Sequence, residues 1–415
     1  MNVQEFLNTS YTAFHTVDNC SRILAQNGFI PYDRGVKAQK GGKYFIKKNG
    51  SALIAFKVGD LSSYAFNVAG SHTDSPVLKV KGRKLIKSPQ GYRINVEAYG
   101  GLIRYSMMDI PLKIAGRVFL STEAGVKEAL IESDFTVNIP SLCIHHNPEV
   151  NDKLSLNVQV DMLPLIGGEE EDLYKVLCGD NEVIDGDLFV IPRVSAFLSG
   201  ARSDLLCAPR IDNLTSVYTS LNALLDAQPK GVSVCCFFDN EEIGSHTKQG
   251  AHSAFLPALL KRINSDLGMN DSDYQKAIDN GMCLSIDNGH AVHPAHPEKS
   301  DVNERVYLNG GVVIKHHANY STDGYSSAVV KSVAKKAGVK VQDYYNRSDL
   351  RCGGTLGLIT SAQLEMDAAD IGLAQLAMHS AIETVGLADL DSMTALVKGF
   401  FNASIVRDNG EITVL

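Results

Sequence analysis

The spacing of apolar and polar positions changes in three stages along the chain, and each stage predicts different elements. From Val3 to Gln26 apolar residues fall near helical spacing (Phe6, Tyr11, Phe14, Val17, Ile23, Leu24), and the run stops at Asn27-Gly28, a fair helix terminator. Lys43 to Lys47, Ala52 to Val58, Ser63 to Ala69 and Val77 to Lys81 alternate or run apolar between glycines, which predicts a meander of strands. From Gly91 to Ser203 strand-like pieces dominate (Tyr92 to Val96, Leu112 to Leu120, Thr136 to Ile139, Leu188 to Pro192), with one helical pattern at Asp172 to Leu177. After Pro209 helix and strand alternate. The helical period covers Ile211 to Ala227, Ser253 to Asn264, Gly324 to Ala337 and Ser392 to Phe401, and strands are predicted at Val232 to Phe238, Met282 to Ile286 and Gly311 to Lys315. A wholly apolar strand such as Val232 to Phe238 suits a parallel sheet covered on both faces.

This pattern predicts an α/β fold, a mostly parallel mixed sheet sandwiched by helices, with an inserted β-rich domain for assembly. The expected division is residues 1–90 for the first part of the catalytic domain, 91–203 for the insertion and 204–415 for the second part. A length of 415 residues exceeds one ordinary core and agrees with that division. Net charge is −8, and the densest basic stretch, Lys79 to Lys87, alternates with apolar residues as a solvated strand face would. Nucleic-acid binding is thereby excluded as an expectation. The eight cysteines are dispersed, with no CxxC and no zinc-finger spacing, which is reduced-compartment usage. Neither a signal peptide nor a membrane-length apolar run is present, so a cytoplasmic protein with no membrane partner is expected.

The candidate chemistry lies where apolar runs end. Five segments supply imidazole and carboxylate: Gly70 to Pro76, Arg210 to Asn213, Asp239 to Ser245, Ser285 to His290 and Ala377 to Ser380. None lies in the β-rich stretch. Strand ends and helix starts are where an α/β sheet places its chemistry. Hard oxygen ligands with imidazole suit two divalent ions, zinc first and cobalt or manganese next. Asp212, a short carboxylate at a helix start, is the natural bridge. His72 and Asp287 would close one site, and Glu242 and His379 the other. Glu241, beside a ligand yet free of the ions, can take a proton from a bridging water. Asp74, two residues beyond His72, is placed to fix its tautomer. Asn213 and Asp239 are expected to orient neighbouring carboxylates.

Taken singly, each residue has a plainer explanation. His-x-Asp occurs in surface turns, Asp212 would serve as a helix N-cap, Glu241-Glu242 as a first helical turn, and His379 as a core histidine. Together they form a full ligand set, and a two-metal hydrolase follows. His290, His293 and His296 sit among prolines that break a helix, so a loop bordering the site is expected, with His290 touching substrate. Cys352-Gly353-Gly354-Thr355 lacks the ending of a phosphate-binding loop. The backbone amides of Gly353 and Gly354 are expected to face the site and stabilise an oxyanion.

At these residues the chain resembles the aspartyl aminopeptidase and vacuolar aminopeptidase I family of dinuclear zinc exopeptidases. The carrying motifs are Gly70-Ser-His-Thr-Asp-Ser-Pro76, Tyr99-Gly-Gly101, Ala115-Gly-Arg-Val118, Asp212-Asn213, Asp239-Asn-Glu-Glu-Ile-Gly-Ser245, His290-Ala-Val-His-Pro294, Cys352-Gly-Gly-Thr355, Leu376-Ala-Met-His-Ser380 and Lys398-Gly-Phe-Phe401. The resemblance implies zinc ligands at His72, Asp212, Glu242, Asp287 and His379, the general base at Glu241 and its supporting partner at Asp74. It also implies that His145, in Leu142-Cys143-Ile144-His145, enters the active site of a neighbouring subunit, with His146 beside it. Homo-oligomers built from dimers, up to a dodecamer whose chamber admits short peptides, are implied too. Members that prefer acidic N-terminal residues carry a basic side chain just before the helix after the Gly311–Lys315 strand. Here residues 316–324 hold no Lys or Arg, which implies a broader or neutral preference. The expected activity is thus removal of N-terminal residues from short peptides. A two-metal deacylase acting on a non-peptide amide is the alternative, and a non-catalytic assembly protein a third.

Overall fold

A computed structural model describes residues 1–408 and 411–415. Its centre is a nine-stranded mixed sheet in the order Ile30–Pro31, Lys43–Lys48, Ala52–Val58, Val232–Phe238, Phe66–His72, Met282–Ile286, Ala368–Gly372, Val312–His316, Val341–Tyr345. Val232–Phe238, Phe66–His72, Met282–Ile286 and Ala368–Gly372 run parallel to their neighbours within this group. Period-two alternation with both faces covered explains why apolar residues recur at successive positions in their sequences rather than at every second one. In Val232–Phe238, Cys235 and Phe237 face one core while Val234, Cys236 and Phe238 face the other. All seven residues are buried. The first core lies under the helices Val3–Thr9, Ala13–Gln26, Ile211–Asp226, Gly324–Ala337 and Leu387–Asn402, and the second under Phe255–Asp266 and Leu356–Leu364. Each large apolar side chain so covered stabilises by about 1.5–3 kcal/mol before entropy is counted.

A second body of sheet has its own core of Leu78, Ile94, Val96, Leu112, Ile114, Val118, Leu188 and Val190. Its five strands are ordered Gly125–Glu132, Leu112–Thr122, Val183–Pro192, Val77–Val80, Val96–Tyr99. Val77–Val80 therefore departs from the predicted meander. The chain turns at Thr73 to Pro76 and pairs antiparallel with Phe189-Val190 and with Val96–Tyr99, because Leu78 belongs to the second core.

Other elements differ from expectation for local reasons. Val3 to Gln26 forms two helices, since Thr12 starts Ala13–Gln26 with extended backbone. Thr136 to Ile139 makes only isolated bridges, Val137 to Leu112 and Asn138 to Leu165. The strands Val341–Tyr345 and Ala368–Gly372 and the helix Leu356–Leu364 add to the large sheet and its cover. A further sheet, in the order Phe197–Ser199, Leu205–Ala208, Glu383–Gly386, Ala374–Leu376, Gly289–His290, lies beside the ends of the central strands. No helix among the described residues is long and apolar enough to cross a membrane.

Candidate metal centre

The central strands deliver their carboxyl ends to one place. His72 is the last residue of Phe66–His72, Asp287 follows Met282–Ile286, and Glu241 and Glu242 open a short turn after Val232–Phe238. Asp212 enters from the start of Ile211–Asp226, where it and Asn213 keep non-helical backbone. His379 comes from the turn after Ala374–Leu376, with a left-handed φ of 67°. Such a φ is unusual for a residue with a Cβ and has to be held by its surroundings. Glu383 holds it, accepting from the His379 amide at 2.6 Å and from the Asp212 amide at 2.9 Å.

The ligand atoms form interlocking sets. His72, Asp212 and Asp287 offer atoms all within 4.8 Å of one another, and so do Asp212, Glu242 and His379. Asp212 is common to both and divides its oxygens between them. Its Oδ1 lies 3.5 Å from His72 Nε2, and its Oδ2 lies 3.5 Å from His379 Nε2. His72 Nε2 is 3.7 Å from Asp287 Oδ1, and His379 Nε2 is 3.5 Å from Glu242 Oε1. Glu241 joins His72 and Glu242 in a third set, so its carboxylate stands near one member of each of the other two.

The residues present fit a pair of cations. Asp212 is 3% exposed, and its Oδ1 has no hydrogen-bond partner. Buried carboxylates this close repel and lose hydration unless a cation compensates them. The pKa shifts carry the same strain. Burial, then the Asp212 charge, pushes Glu383 up to about 8. Burial, then the charges of Asp287, Asp74 and Asp212 against the opposing pull of His72, brings Glu241 up to about 7. Burial opposes charge on His379, but Asp212 and Glu242 outweigh it and raise the imidazole to about 10. Divalent ions held here would supply the positive charge that these groups otherwise draw from protons.

A supporting ring fixes the ligands. The nearest partner of His72 Nδ1 is the Asp74 main-chain oxygen at 3.0 Å, with the carboxylate at 3.4 Å. The Asp74 carboxylate instead accepts from the amides of Glu241 (3.1 Å) and Glu242 (3.2 Å) and from the Tyr99 hydroxyl (2.7 Å). It thereby ties the turn carrying Glu241 and Glu242 to the loop carrying His72. Tyr99 in turn accepts from Asn240 Nδ2 at 2.9 Å. Asn213 donates to the Ile286 carbonyl at 2.8 Å and steadies the strand end before Asp287. Asp239 accepts from the Asn240 amide at 2.7 Å. Neither thus hydrogen-bonds a ligand carboxylate directly.

Glycines let the shell close. A Cβ on Gly101 would lie 3.1 Å from His379 Nδ1, one on Gly100 3.0 Å from Glu242 Cβ, and one on Gly372 1.9 Å from the Asp287 carbonyl oxygen. The Tyr99-Gly100-Gly101 motif is therefore a packing surface for two ligands as well as the source of the Asp74 donor.

His290, Gly353 and Gly354 line the same cavity of about 600 Å³ as the ligand set. His145 and His146 are exposed in the 140–157 stretch and do not line it within one chain. Sequence reasoning missed Glu383, Tyr99 as a donor, and two further lining residues, Lys315 and Tyr320. Lys315, directly before residues 316–324, is a buried cation with Nζ 3.5 Å from Asp287 Oδ2. Its signal was a lysine ending an otherwise apolar strand.

The chain is similar to known proteins over nearly its whole length. Residues 6–401 match the family described as Aminopeptidase I zinc metalloprotease (M18). A probable M18 family aminopeptidase 2 of Clostridium acetobutylicum is 38% identical over 424 residues, covering 96% of this chain and 97% of the relative. The solved M18 aminopeptidase of Thermotoga maritima superposes with a TM-score of 0.85 at 28% identity, covering 96% of this chain and 94% of that one. The S. cerevisiae mApe1 dodecamer superposes with a TM-score of 0.83 at 25% identity, covering 96% and 95%. The chain belongs to the M18 family of zinc metallo-aminopeptidases.

Proposed function

We propose that the chain cleaves N-terminal residues from short peptides with two divalent ions, preferably zinc, that share Asp212. His72 and Asp287 would complete one site and Glu242 and His379 the other. The division of the two Asp212 oxygens between two ligand sets carries this reading. Ions bound there would polarise the scissile carbonyl and acidify a water to a pKa of about 7.

The chain's own residues do the rest. Glu241 takes the proton of the attacking water, whose oxygen bonds to the carbonyl carbon, and returns that proton to the nitrogen as the C–N bond breaks. Gly353, Gly354 and His290 line the same cavity, and the two glycine amides would hold a developing oxyanion. With the carboxylates of Asp212, Glu242 and Asp287 spent on the ions, the substrate's free α-amine would bind one ion through its nitrogen lone pair, so an unblocked N-terminus is preferred. That preference disfavours the deacylase alternative, whose substrates lack the amine. Lys315 offers a cation to an acidic N-terminal side chain, and Ile359 and Met378 offer apolar contact to a neutral one, so both classes are substrates in this reading.

Assembly belongs to the same reading. A homo-oligomer built on dimers, to a dodecamer, would cover the exposed Tyr105, Leu142 and Val160 of the insertion and let His145 reach a neighbouring site. The decisive experiment is Glu241→Gln. The variant should keep both ions by elemental analysis and lose about 10²–10⁴-fold in kcat on aminoacyl substrates. Turnover at the native rate would remove Glu241 from its role.

A further inference from the structure

The strands that border the metal cavity also wall a second one. Gly289–His290 pairs in parallel with Ala374–Leu376, Gly289 opposite Ala374 and His290 opposite Gln375. The first strand follows Asp287 and the second precedes His379, so both begin or end at a metal-type ligand. Beyond them lies a cavity of about 270 Å³ lined by His293, Gln375, Lys299, Arg347 and Arg351, and by His290, which lines the metal cavity as well. The two spaces are therefore about one side chain apart.

Two properties set this second cavity apart. No Asp or Glu among the described residues lines it, although the chain carries a net charge of −8. Arg347 is committed to Asp349, at 2.7 and 3.1 Å, and to the Glu298 carbonyl. Lys299 and Arg351 have no carboxylate within salt-bridge distance among the described residues, so two cations stand ready for an outside anion. Gly289–His290 is also the outer strand of its sheet. The Gly289 and Ala291 amides donate inward to Leu373 and Gln375 at 2.8 and 2.9 Å, which leaves the His290 N–H and C=O facing outward. The next outward amide, Val292, donates to the Val306 carbonyl at 2.9 Å, so the open stretch is His290 alone. An extended peptide can add to such an edge.

We propose that the Lys299–Arg351 cavity is a carboxylate subsite for the leaving part of a short peptide. The inference rests on the aminopeptidase mechanism above. With the N-terminal residue in the metal cavity, the chain beyond the scissile bond runs along the His290 edge. Two extended residues cover about 7 Å, the scale of the side chain between the cavities. The carboxylate received there is either the peptide's own C-terminus or an acidic side chain at that position.

The test holds the N-terminal residue constant and compares kcat/KM within two pairs at low salt. One pair is Leu-Ala-Ala against its C-terminal amide, and the other is Leu-Ala-Glu-amide against Leu-Ala-Gln-amide. The charged member of at least one pair should be favoured by about fivefold or more, the scale of one to two exposed ion pairs. Which pair responds identifies the source of the carboxylate. The ratio should fall to about one in Lys299→Gln/Arg351→Gln and shrink in high salt, as solvent-exposed charge pairs do. Both side chains are exposed, so the substitutions do not touch the core. Equal cleavage within both pairs by the native protein, or a preference that survives the double substitution, would overturn the subsite. Failure of all four peptides to turn over in the metal-loaded protein would overturn it together with the mechanism, and is thus distinguishable from failure of the subsite alone.

Discussion

Replacing Tyr99 by Phe isolates the ring around Asp74. The hydroxyl donates to Asp74 Oδ2 at 2.7 Å and accepts from Asn240 Nδ2 at 2.9 Å, on a side chain only 8% exposed. Burial, then the Asp74 and Asp239 charges, push its pKa far above the ordinary range, so it donates at any working pH. A hydrogen bond to a charged acceptor contributes about 1.5–3 kcal/mol. Part of that is retained, because Asp74 keeps the Glu241 and Glu242 amides and Asn240 keeps a 3.3 Å contact with Asp239. The net loss in unfolding free energy should be about 1–2 kcal/mol. The functional effect should be larger in proportion. Asp74 connects the His72 loop to the Glu241-Glu242 turn, and removing such support lowers metal affinity by about 10–100-fold. Urea unfolding of the metal-stripped protein reads the first quantity, and competition with a chelator reads the second. If stability falls while both ions bind with native affinity, Tyr99 serves only the core and the ring has no part in holding the metals.

Two further outcomes concern a glycine beside Asp287 and a buried histidine outside the site. Gly372→Ala places a Cβ 1.9 Å from the Asp287 carbonyl oxygen, a backbone atom that cannot swing aside. It should cost about 1–3 kcal/mol and weaken the ion at His72 and Asp287 more than its neighbour, read by unfolding and by metal titration; native values for both would refute the close approach. Stability should also fall with acid through His15. Burial, against the pull of Glu132, lowers its pKa from 6.5 to about 4, so the unfolded chain binds the proton first. The penalty is absent above pH 6.5, grows as pH falls towards 4, and reaches at most about 3 kcal/mol, less where solvent screens it. Urea unfolding at steps from pH 7 to 4 should show a shallower slope for His15→Gln than for the native chain, and equal slopes would contradict the assignment.

How much of this was legible follows from where the signal lives. The parallel sheet was readable because Val232–Phe238 is buried on both faces, so its sequence carries no alternation. His72, Asp287 and the Glu241-Glu242 pair are legible as candidates because each closes or follows such a run in a residue type that costs free energy to bury alone, whereas Asp212 opens a helix and His379 sits in a turn. Val77–Val80 leaves the expected meander because its pattern fits either core, and only the long-range pairing to Phe189-Val190 decides. Val341–Tyr345 does not stand out in the sequence because Gln342 and Asp343 interrupt it and only Tyr344 is buried at this sheet edge. Glu383 was invisible for another reason. It acts by accepting from two main-chain amides, His379 and Asp212, which leave no mark in the types of residue around it. Lys315 was passed over because a buried lysine is rare, and its partner Asp287 lies 28 residues away.

The account depends most on two ions sharing Asp212. Metal-stripped protein should be titrated with zinc while bound metal and aminopeptidase activity are followed together, for the native chain and for Asp212→Asn. The native chain should take up two ions with full activity only at the second, and the variant should lose tight binding at both sites. Full activity at one ion, or a variant that holds both ions as tightly as the native chain, would contradict the shared carboxylate.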